Sequence, residues 1–228
     1  MPQNWNVTPK EAIAIQKTLR DQVRLEPLSG TLRRIGGADV SMDRFAKEGF
    51  AGFVTLTYPE LVLIDHAVVK RDIPFPYIPG LLSFREIPML LDAWEALTTK
   101  PDVLLVDGIG IAHPRRLGIA THLGLVLDVP TIGVAKSVLI GTYEEPPNVP
   151  GAYTYLYDSK HQQEKLGVAL RTKLNVKPVF VSPGHRITLE ESVDIVRSCV
   201  VKHRLPEPTR LAHNTVNEYR VADKQNGL

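Results

Sequence analysis

The sequence predicts an α/β fold in which an antiparallel meander continues into a parallel β-α-β unit, with helices on both faces of one mixed sheet. Three strand candidates follow one another through short connections, at about 32–42, 50–57 and 61–69. Short connections favour antiparallel pairing. Farther along, two apolar runs, 102–107 and 131–135, flank a helical stretch. Such a unit makes a right-handed crossover and places the ends of both strands at one sheet edge.

The bulk composition is that of an ordinary globular protein. The chain has 228 residues, 43% hydrophobic and 23% charged, so we expect one domain over 1–228. The amino terminus lacks a signal-peptide pattern and no run of 18 apolar residues occurs, so we predict no membrane partner and a cytoplasmic location. The single cysteine, Cys199, excludes an intramolecular disulfide and is expected in the core. We also expect a monomer.

Amphipathic helices are predicted near both ends of the chain. Residues 9–25 have apolar side chains at helical spacing behind a capping box of Thr8 and Glu11. Three further strand candidates follow the central unit, at about 152–157, 166–171 and 178–182. A helix then begins near Thr188, and Thr209 is expected to cap a last helix. From residue 222 onwards we expect a frayed tail.

The central stretch, residues 101–137, contains the predicted β-α-β unit. Its first strand ends on Asp107, a glycine-punctuated loop follows, and a helix is expected over about 117–127. The second strand ends at Lys136. Because parallel strands share their carboxyl edge, an acid and a base are expected side by side at that edge, where chemistry commonly occurs.

An acidic residue earlier in the chain is a candidate for the same edge of the sheet. Asp39 lies inside the first strand candidate, where an unpaired buried carboxylate would cost several kcal/mol. It could alternatively face water at a strand end. If the first and fourth strands are neighbours, Asp39 and Asp107 would repel each other unless a divalent cation lay between them. Oxygen ligands favour Mg²⁺ or Mn²⁺, so the pattern predicts metal-assisted phosphoryl transfer.

Glu86 has two interpretations. With Ser83 it fits a capping box for a helix over about 83–97, which would give it a purely structural role. Pro88, however, is best placed at a first helical position, so the helix could begin near Ile87. Glu86 would then be free to join the other acids.

Basic residues are predicted to surround the acidic spot. Arginine and lysine pair well with phosphate oxygens, although a run of charge is commonly just a solvated face. The basic residues expected there are His113, Arg115, Arg116, Lys136, His185 and Arg186.

A proline-rich loop covers residues 72–86. Its prolines restrict the backbone, so Phe75, Tyr77 and Ile78 are held in an extended, rigid segment that ends at Gly80. A stiff loop with aromatic tips suits a wedge between stacked bases. The alternative is a connector whose aromatic side chains close the core beneath it.

Several strings together make the chain resemble the endonuclease V family of inosine-directed nucleases. They are ADVS, PYIPGLLSFRE, VDGIGIAHPRRLGIATHLGL, PTIGVAKS, SPGHRI and LPEPTRLAH. The resemblance implies an RNase H-like fold and DNA repair. It also implies hydrolysis, dependent on Mg²⁺ with Mn²⁺ as a substitute, of the second phosphodiester bond 3′ to inosine. The products would carry a 3′-hydroxyl and a 5′-phosphate; whether DNA or RNA is the main substrate stays open.

The resemblance also implies roles for individual residues. The metal-binding acids would be Asp39, Glu86 and Asp107, with His213 as the fourth member of the site. Lys136 would lie near the scissile phosphate. The wedge would be Tyr77, Ile78 and Pro79, and the surroundings of a flipped base would be Gly80, Leu82, Gly108 and His113. Flipping is physically sensible because an inosine pair is weaker than a normal pair.

The residues also bear on two other classes of protein. A dinucleotide-binding enzyme is excluded, because Gly108 and Gly110 are followed by His113 where the fingerprint needs its third glycine. A catalytically silent nucleic-acid-binding module would keep the wedge but not a complete metal site. The presence of all three acids argues against it.

Overall fold

The fold is an eight-stranded mixed sheet between two layers of helices, in a computed structural model that describes residues 4–43, 46–161 and 163–226. Strands β1 to β8 are Arg34–Ser41, Glu48–Thr57, Leu63–Asp72, Val103–Asp107, Thr131–Ala135, Tyr153–Tyr157, Lys165–Leu170 and Val179–His185. Helices α1 to α5 are Pro9–Leu19, Leu82–Ala96, Ile119–Leu127, Leu189–Ser198 and Glu207–Asn226. The strand order is β3-β2-β1-β4-β5-β8-β7-β6.

The pairing confirms the predicted mixed sheet. Strands β1, β2 and β3 form an antiparallel meander, and β4 is parallel to both β1 and β5. In the β1–β4 pair, Ala38 lies opposite Val106, so the next residues, Asp39 and Asp107, lie side by side where the pairing of these two strands ends. The remaining strands, β8, β7 and β6, extend the sheet in antiparallel fashion.

Side-chain alternation along the strands divides the core between the two faces. On one face, Ala38 and Val106 pack with α2 and α3. On the other, Ile35 and Leu105 pack with residues of α4 and α5. Cys199 is fully buried in this second core, as predicted, and its burial raises the pKa of the thiol to about 12.

Helix α2 begins at Leu82, which corrects both interpretations of its start. Leu81 precedes it without a side-chain cap, and Pro88 lies inside the helix rather than in its first turn. The apolar face of the helix runs through the proline, with Phe84 and Ile87 fully buried. Burial of this face outweighs the one backbone hydrogen bond that proline removes.

The ends of the first and last helices also differ from the predictions. Helix α1 has the predicted capping box but ends at Leu19. Helix α5 begins at Glu207 rather than at Thr209, whose hydroxyl donates to the Pro206 carbonyl. It stays helical through residue 226, and residues 227–228 of the predicted frayed tail lie outside the described ones.

Ion pairs explain why the end of α5 is ordered, since Arg220 and Lys224 both bond Asp43, at 2.7 and 2.9 Å. Asp43 itself is exposed. None of the helices that the structure describes, including the 20-residue α5, is both long enough and apolar enough to cross a membrane.

A close backbone approach places α5 on the sheet. A Cβ atom at Gly37 of β1 would lie 1.9 Å from the Pro208 carbonyl oxygen in the first turn of α5. Only a glycine therefore permits this contact. About one and a half turns farther along, α5 brings His213 to Asp39 of β1.

We expect Gly37→Ala to lower the free energy of unfolding by at least about 1–3 kcal/mol, because backbone rather than a flexible side chain blocks the added methyl group. Denaturant unfolding measures the loss. Gly49→Ala in β2 is the matched control, since its new Cβ would meet the flexible Met89 sulfur at 3.2 Å. Equal losses in the two variants would contradict the proposed contact.

Candidate active site

Three side chains converge at the carboxyl ends of β1 and β4. Ligand atoms of Asp39, Asp107 and His213 all lie within 4.8 Å of one another. His213 Nδ1 is 2.9 Å from Asp39 Oδ2. The residues come from β1, β4 and α5, so the site exists only when sheet and last helix are packed together.

The electrostatics of this cluster are those of crowded carboxylates. Burial, and secondarily the charge of Asp107, raises the pKa of Asp39 to about 6, although His213 and Lys136 oppose the rise. Burial and the charges of Asp39 and Asp107 raise the pKa of Glu86 to about 8. The charges of both aspartates therefore affect the pKa of Glu86. Glu86 is nevertheless not one of the residues whose ligand atoms lie within 4.8 Å of one another.

The donor set fits a divalent cation. Carboxylate oxygens that repel one another are stabilised when a cation lies between them, and they suit Mg²⁺ or Mn²⁺. An imidazole nitrogen, here from His213, is also a ligand for transition-metal ions. The residues that sequence reasoning assigned to a metal are thus near one another, with Glu86 at the margin.

Lys136 presents its charge to the same point. Its Nζ atom bonds Asp107 Oδ2 across the ends of the parallel strands β4 and β5, as their shared edge predicts. Arg204 Nη2 donates to the Lys136 carbonyl at 3.0 Å and to the Pro178 carbonyl at 2.8 Å. Arg204 therefore fixes the backbone that carries Lys136, a role that nothing in the sequence pattern indicated.

A short polar network orients His213. Asn217, one turn later on α5, donates through Nδ2 to the His213 carbonyl at 2.9 Å, and this nitrogen lies 3.1 Å from His213 Nε2. Ser41 Oγ donates to Asn217 Oδ1 at 2.6 Å. Neighbours of this kind hold a ligating histidine in one orientation. Sequence reasoning missed both Ser41 and Asn217, although the i, i+4 spacing of His213 and Asn217 was a usable signal.

The proline-rich loop both closes the core beneath it and presents an exposed aromatic ring, so each of its two interpretations holds in part. Phe75 is 3% exposed and packs against Phe84, so this ring closes a core cluster. Tyr77, two residues later, is 60% exposed. The loop is therefore anchored from below while one aromatic ring projects from it.

Beside the acids, the loop borders a cavity of about 340 Å³. Its lining includes seven residues that sequence reasoning assigned to the wedge and base surroundings: Tyr77, Ile78, Pro79, Gly80, Leu82, Gly108 and His113. Asp107 and Lys136 also line it, so the cavity and the acidic cluster share the side chain of Asp107. The other lining residues include Gln16 and the segment 137–139, which sequence reasoning missed.

Three side chains clamp the carbonyl of Gly80 where the loop turns. His113 Nε2 lies 3.0 Å from this oxygen, Arg115 Nη2 donates to it at 2.7 Å and Gln16 Nε2 at 3.1 Å. His113 Nδ1 accepts the Arg115 backbone N–H, so Nε2 carries the ring proton. Burial, helped by Arg115, lowers the pKa of His113 to about 4, and the ring is neutral at pH 7.

The clamp gives His113 and Arg115 a clear position. Both side chains bond the loop that borders the cavity, and Arg115 Nε also bonds Gln16 Oε1. Gln16 is 1% exposed and falls at i+4 from the buried Ala12. A glutamine at this spacing on the inner face of α1 was the signal that could have revealed it.

Arg116 differs from the prediction that it faces the acidic cluster. Its guanidinium donates to Asp158 at 2.7 Å and to Glu164 at 2.6 Å, and these partners raise its pKa. Two carboxylates already satisfy its charge. The structure thus gives Arg116 a role in holding the β4–α3 loop against the β6–β7 connection.

His185 and Arg186 lie at the wrong edge for the predicted site, which corrects that part of the basic cluster. His185 ends β8 and pairs with Thr131, the first residue of β5, whereas Lys136 follows the last. His185 is 2% exposed and accepts the Arg24 backbone N–H, while Arg186 pairs with Asp128. The error arose because β8 runs antiparallel to β5, so its end points away from the acids.

Comparisons with known proteins agree with this geometry. The Endonuclease V family model matches residues 17–214. Endonuclease V of Dictyoglomus turgidum is 50% identical over 205 residues, 90% of this chain and 87% of that protein. The crystal structure of Endonuclease V from Streptomyces avermitilis has a TM-score of 0.90 at 40% identity, covering 100% of this chain and 98% of that one.

A further similar structure includes nucleic acid. It is Ciona intestinalis Endonuclease V in complex with a 24mer DNA containing an inosine followed by a ribo-adenosine. Its TM-score is 0.79 at 29% identity, with 93% of this chain and 98% of that chain covered. The family model spans the whole acidic site, from Asp39 to His213. This chain therefore belongs to the Endonuclease V family, is a nuclease and has the RNase H-like fold of that family.

Proposed function

We propose that the chain hydrolyses, with Mg²⁺, the second phosphodiester bond 3′ to an inosine in DNA or RNA, and that it acts in the repair of deaminated DNA. The products carry a 3′-hydroxyl and a 5′-phosphate. One observation carries the proposal: Asp107 belongs both to the cluster with Asp39 and His213 and to the lining of the cavity bordered by the Tyr77 loop. This shared residue supports binding of a base in the cavity and reaction at a nearby phosphate of the same strand.

The metal would be held by Asp39, Asp107 and His213, with Glu86 at the margin of the site. When bound, such an ion supplies Lewis-acid stabilisation of phosphate oxygens and lowers the pKa of a coordinated water. Mn²⁺ is expected to substitute, because the donors are carboxylates and an imidazole.

Other side chains of the protein would bind the scissile phosphate and hold the catalytic residues in position. The Lys136 ammonium group would donate to an oxygen of the scissile phosphate, since its Nζ atom already lies at Asp107. The Asn217 network holds His213, and Arg204 holds the Lys136 backbone. Catalysis of phosphoryl transfer depends mainly on such positioning and on charge stabilisation.

Inosine would be taken from the stack into the 340 Å³ cavity, which has the size of a small-molecule site. Tyr77 is exposed and rigidly anchored, so its ring can replace the lost stacking partner. The Ciona relative supports this proposal, since it was crystallised with inosine-containing DNA. Cytoplasmic location, monomeric state and a single domain stay predictions.

We expect Asp39→Asn and Asp107→Asn to reduce cleavage of an inosine-containing oligonucleotide to background, because each removes a carboxylate from the cluster. Single-turnover assays with Mg²⁺ measure the rate, and binding in EDTA should persist. Asp43→Asn is the control, as Asp43 pairs with Arg220 and Lys224 on the surface. Cleavage by either cluster variant at the wild-type rate would contradict the mechanism.

Glu86→Gln tests the crowding of charge. The raised pKa of Glu86, about 8 against an ordinary 4.5, means that the folded chain keeps a proton that the unfolded chain releases. Stability from this group is therefore full below about pH 4.5 and lost as the pH rises through about 8. In EDTA we expect the midpoint temperature of thermal unfolding of the wild-type chain to fall as the pH rises from about 4.5 to about 8. The midpoint of Glu86→Gln should fall less over the same range.

The control for this prediction is Glu95→Gln, at an exposed position on the same helix. Its pH profile should follow wild type. Parallel profiles for wild type and Glu86→Gln would show that the carboxyl is not perturbed. Addition of Mg²⁺ should flatten the wild-type profile, because a bound cation offsets the repulsion between the acids.

Tyr77→Ala tests the wedge. Stacking of a base on an aromatic ring contributes about 1–3 kcal/mol, so we expect roughly 5- to 160-fold slower cleavage of duplex inosine DNA. Single-stranded substrate should be affected much less, because its base needs no separation from a partner. Tyr153→Ala, an exposed tyrosine on β6, is the control. An unchanged ratio of duplex to single-strand rates would exclude the wedge.

A further inference from the structure

We propose that a basic platform binds the phosphate backbone of the strand on the 3′ side of the cleaved bond; this rests on the function proposed above. The basic platform consists of residues 171–177, between β7 and β8, and residues 197–204, from the end of α4 into its connection with α5. Its basic residues are Arg171, Lys173, Lys177, Arg197, Lys202, His203 and Arg204.

The charge of the chain is concentrated here. No Asp or Glu occurs in residues 165–178 or 195–206. The whole chain has 27 Lys and Arg residues against 25 Asp and Glu, and six of the 27 belong to the platform. The two platform segments thus contain six Lys and Arg residues and no acidic residue, which is the electrostatic footprint of a polyanion site.

The basic platform is contiguous with the active site. Arg204 Nη2 bonds the Lys136 carbonyl at 3.0 Å, and Arg204 Nε bonds the Lys177 carbonyl at 2.8 Å. Thr172 Oγ1 donates to the Arg204 carbonyl at 2.7 Å, and Lys173 Nζ to the Val201 carbonyl at 2.6 Å. Hydrogen bonds thus join the two segments to each other and to the residue proposed to contact the scissile phosphate.

Several platform charges are available to a ligand. Lys177, Arg197 and Lys202 are exposed. Lys173 and Arg197 line a groove of about 300 Å³ with Gly151 and Val200. Nearby acids are few: Glu145 bonds the buried Arg171, and Asp194 lies 3.6 Å from Arg197 on the same helix. An exposed pair of this kind holds its charges weakly, so phosphate would compete for Arg197.

The position of the platform sets the direction of the strand. The base cavity lies on the sheet face that carries α2 and α3, since Ser83 and Ile119 line it. The platform lies on the other face, where Cys199 and Leu205 enter the core shared with α4 and α5. Cleavage two bonds 3′ of the base means that the strand runs from the cavity past Lys136 in the 3′ direction. Its 3′ continuation therefore reaches the platform.

The test uses one triple variant, Lys177→Gln/Arg197→Gln/Lys202→Gln. The salt dependence of its binding is compared with that of the wild-type chain. The probe is a single-stranded inosine oligonucleotide in EDTA, with fluorescence anisotropy as readout. Each lost phosphate contact should reduce the slope of log Kobs against log salt by about 0.9 for duplex and about 0.7 for single strands. For three contacts we expect the slope to fall by about 2.

The matched control is Arg24→Gln/Arg33→Gln/Arg186→Gln. It removes the same charge at the opposite sheet edge, where Arg24 and Arg186 contact Asp128. We expect it to keep the wild-type slope. A platform variant that keeps the wild-type slope, or a control that loses as much, would overturn the proposal. Thermal unfolding checks that both triple variants are folded.

A second comparison locates the strand. Removal of all nucleotides beyond the second position 3′ of the inosine should weaken wild-type binding and abolish the difference between wild type and the platform variant. Shortening the 5′ side should leave that difference intact. The reverse pattern would overturn the assignment to the 3′ side. Cleavage with Mg²⁺ tests the proposed function separately: a wild-type chain that shows the platform-dependent slope but never cuts inosine substrate would contradict that function and support the platform.

Discussion

The mutual repulsion of three carboxyl groups at one sheet edge is the constraint on which the structure of the site depends. Parallel pairing of β1 with β4 places Asp39 beside Asp107, and α2 adds Glu86 from the opposite face. Burial first, and then the charges of the neighbouring carboxylates, raise the pKa values of Asp39 and Glu86. Burying charged groups close together costs free energy in the folded chain, and nearby cations offset that cost. Lys136 and His213 supply part of that compensation, and a divalent ion would supply the rest.

The fold serves this edge by bringing in parts that are distant in sequence. Helix α5 approaches β1 across the bare backbone of Gly37, which allows His213 to reach Asp39. The loop above the cavity is fixed differently, through one carbonyl: Gly80 accepts from residues of α1 and of the β4–α3 loop. The cavity, the exposed Tyr77 and the acidic cluster are consequently parts of one connected structure. A shift in any of these contacts would move the base site relative to the phosphate site.

Much of this arrangement follows from local patterns in the sequence. Strand periodicity and short connections predicted the meander, and β-α-β geometry placed Asp107 beside Lys136. Tertiary contacts decided what those patterns could not. Buried Phe84 and Ile87 keep α2 helical through Pro88, and ion pairs to Asp43 keep the last turns of α5 ordered. The direction of β8 was invisible in the sequence, so His185 was assigned to the wrong edge. Likewise, only the packed chain shows that Arg116 is neutralised by Asp158 and Glu164.

The distribution of arginine roles shows why a count of basic residues is a poor guide to a nucleic-acid surface. Three arginines are close to the site in sequence or in space: Arg115, Arg116 and Arg204. The guanidinium group of each donates hydrogen bonds to carbonyl or carboxylate oxygens of the protein. They shape the site rather than face solvent. Among the described residues, the exposed cations Lys177, Arg197 and Lys202 form one ion pair, the weak contact of Arg197 with Asp194, and they lie in segments without any acidic residue. Long-range attraction of a polyanion depends on uncompensated charge, so we assign the exit of the strand from the active site to these residues and not to the arginines bonded within the protein.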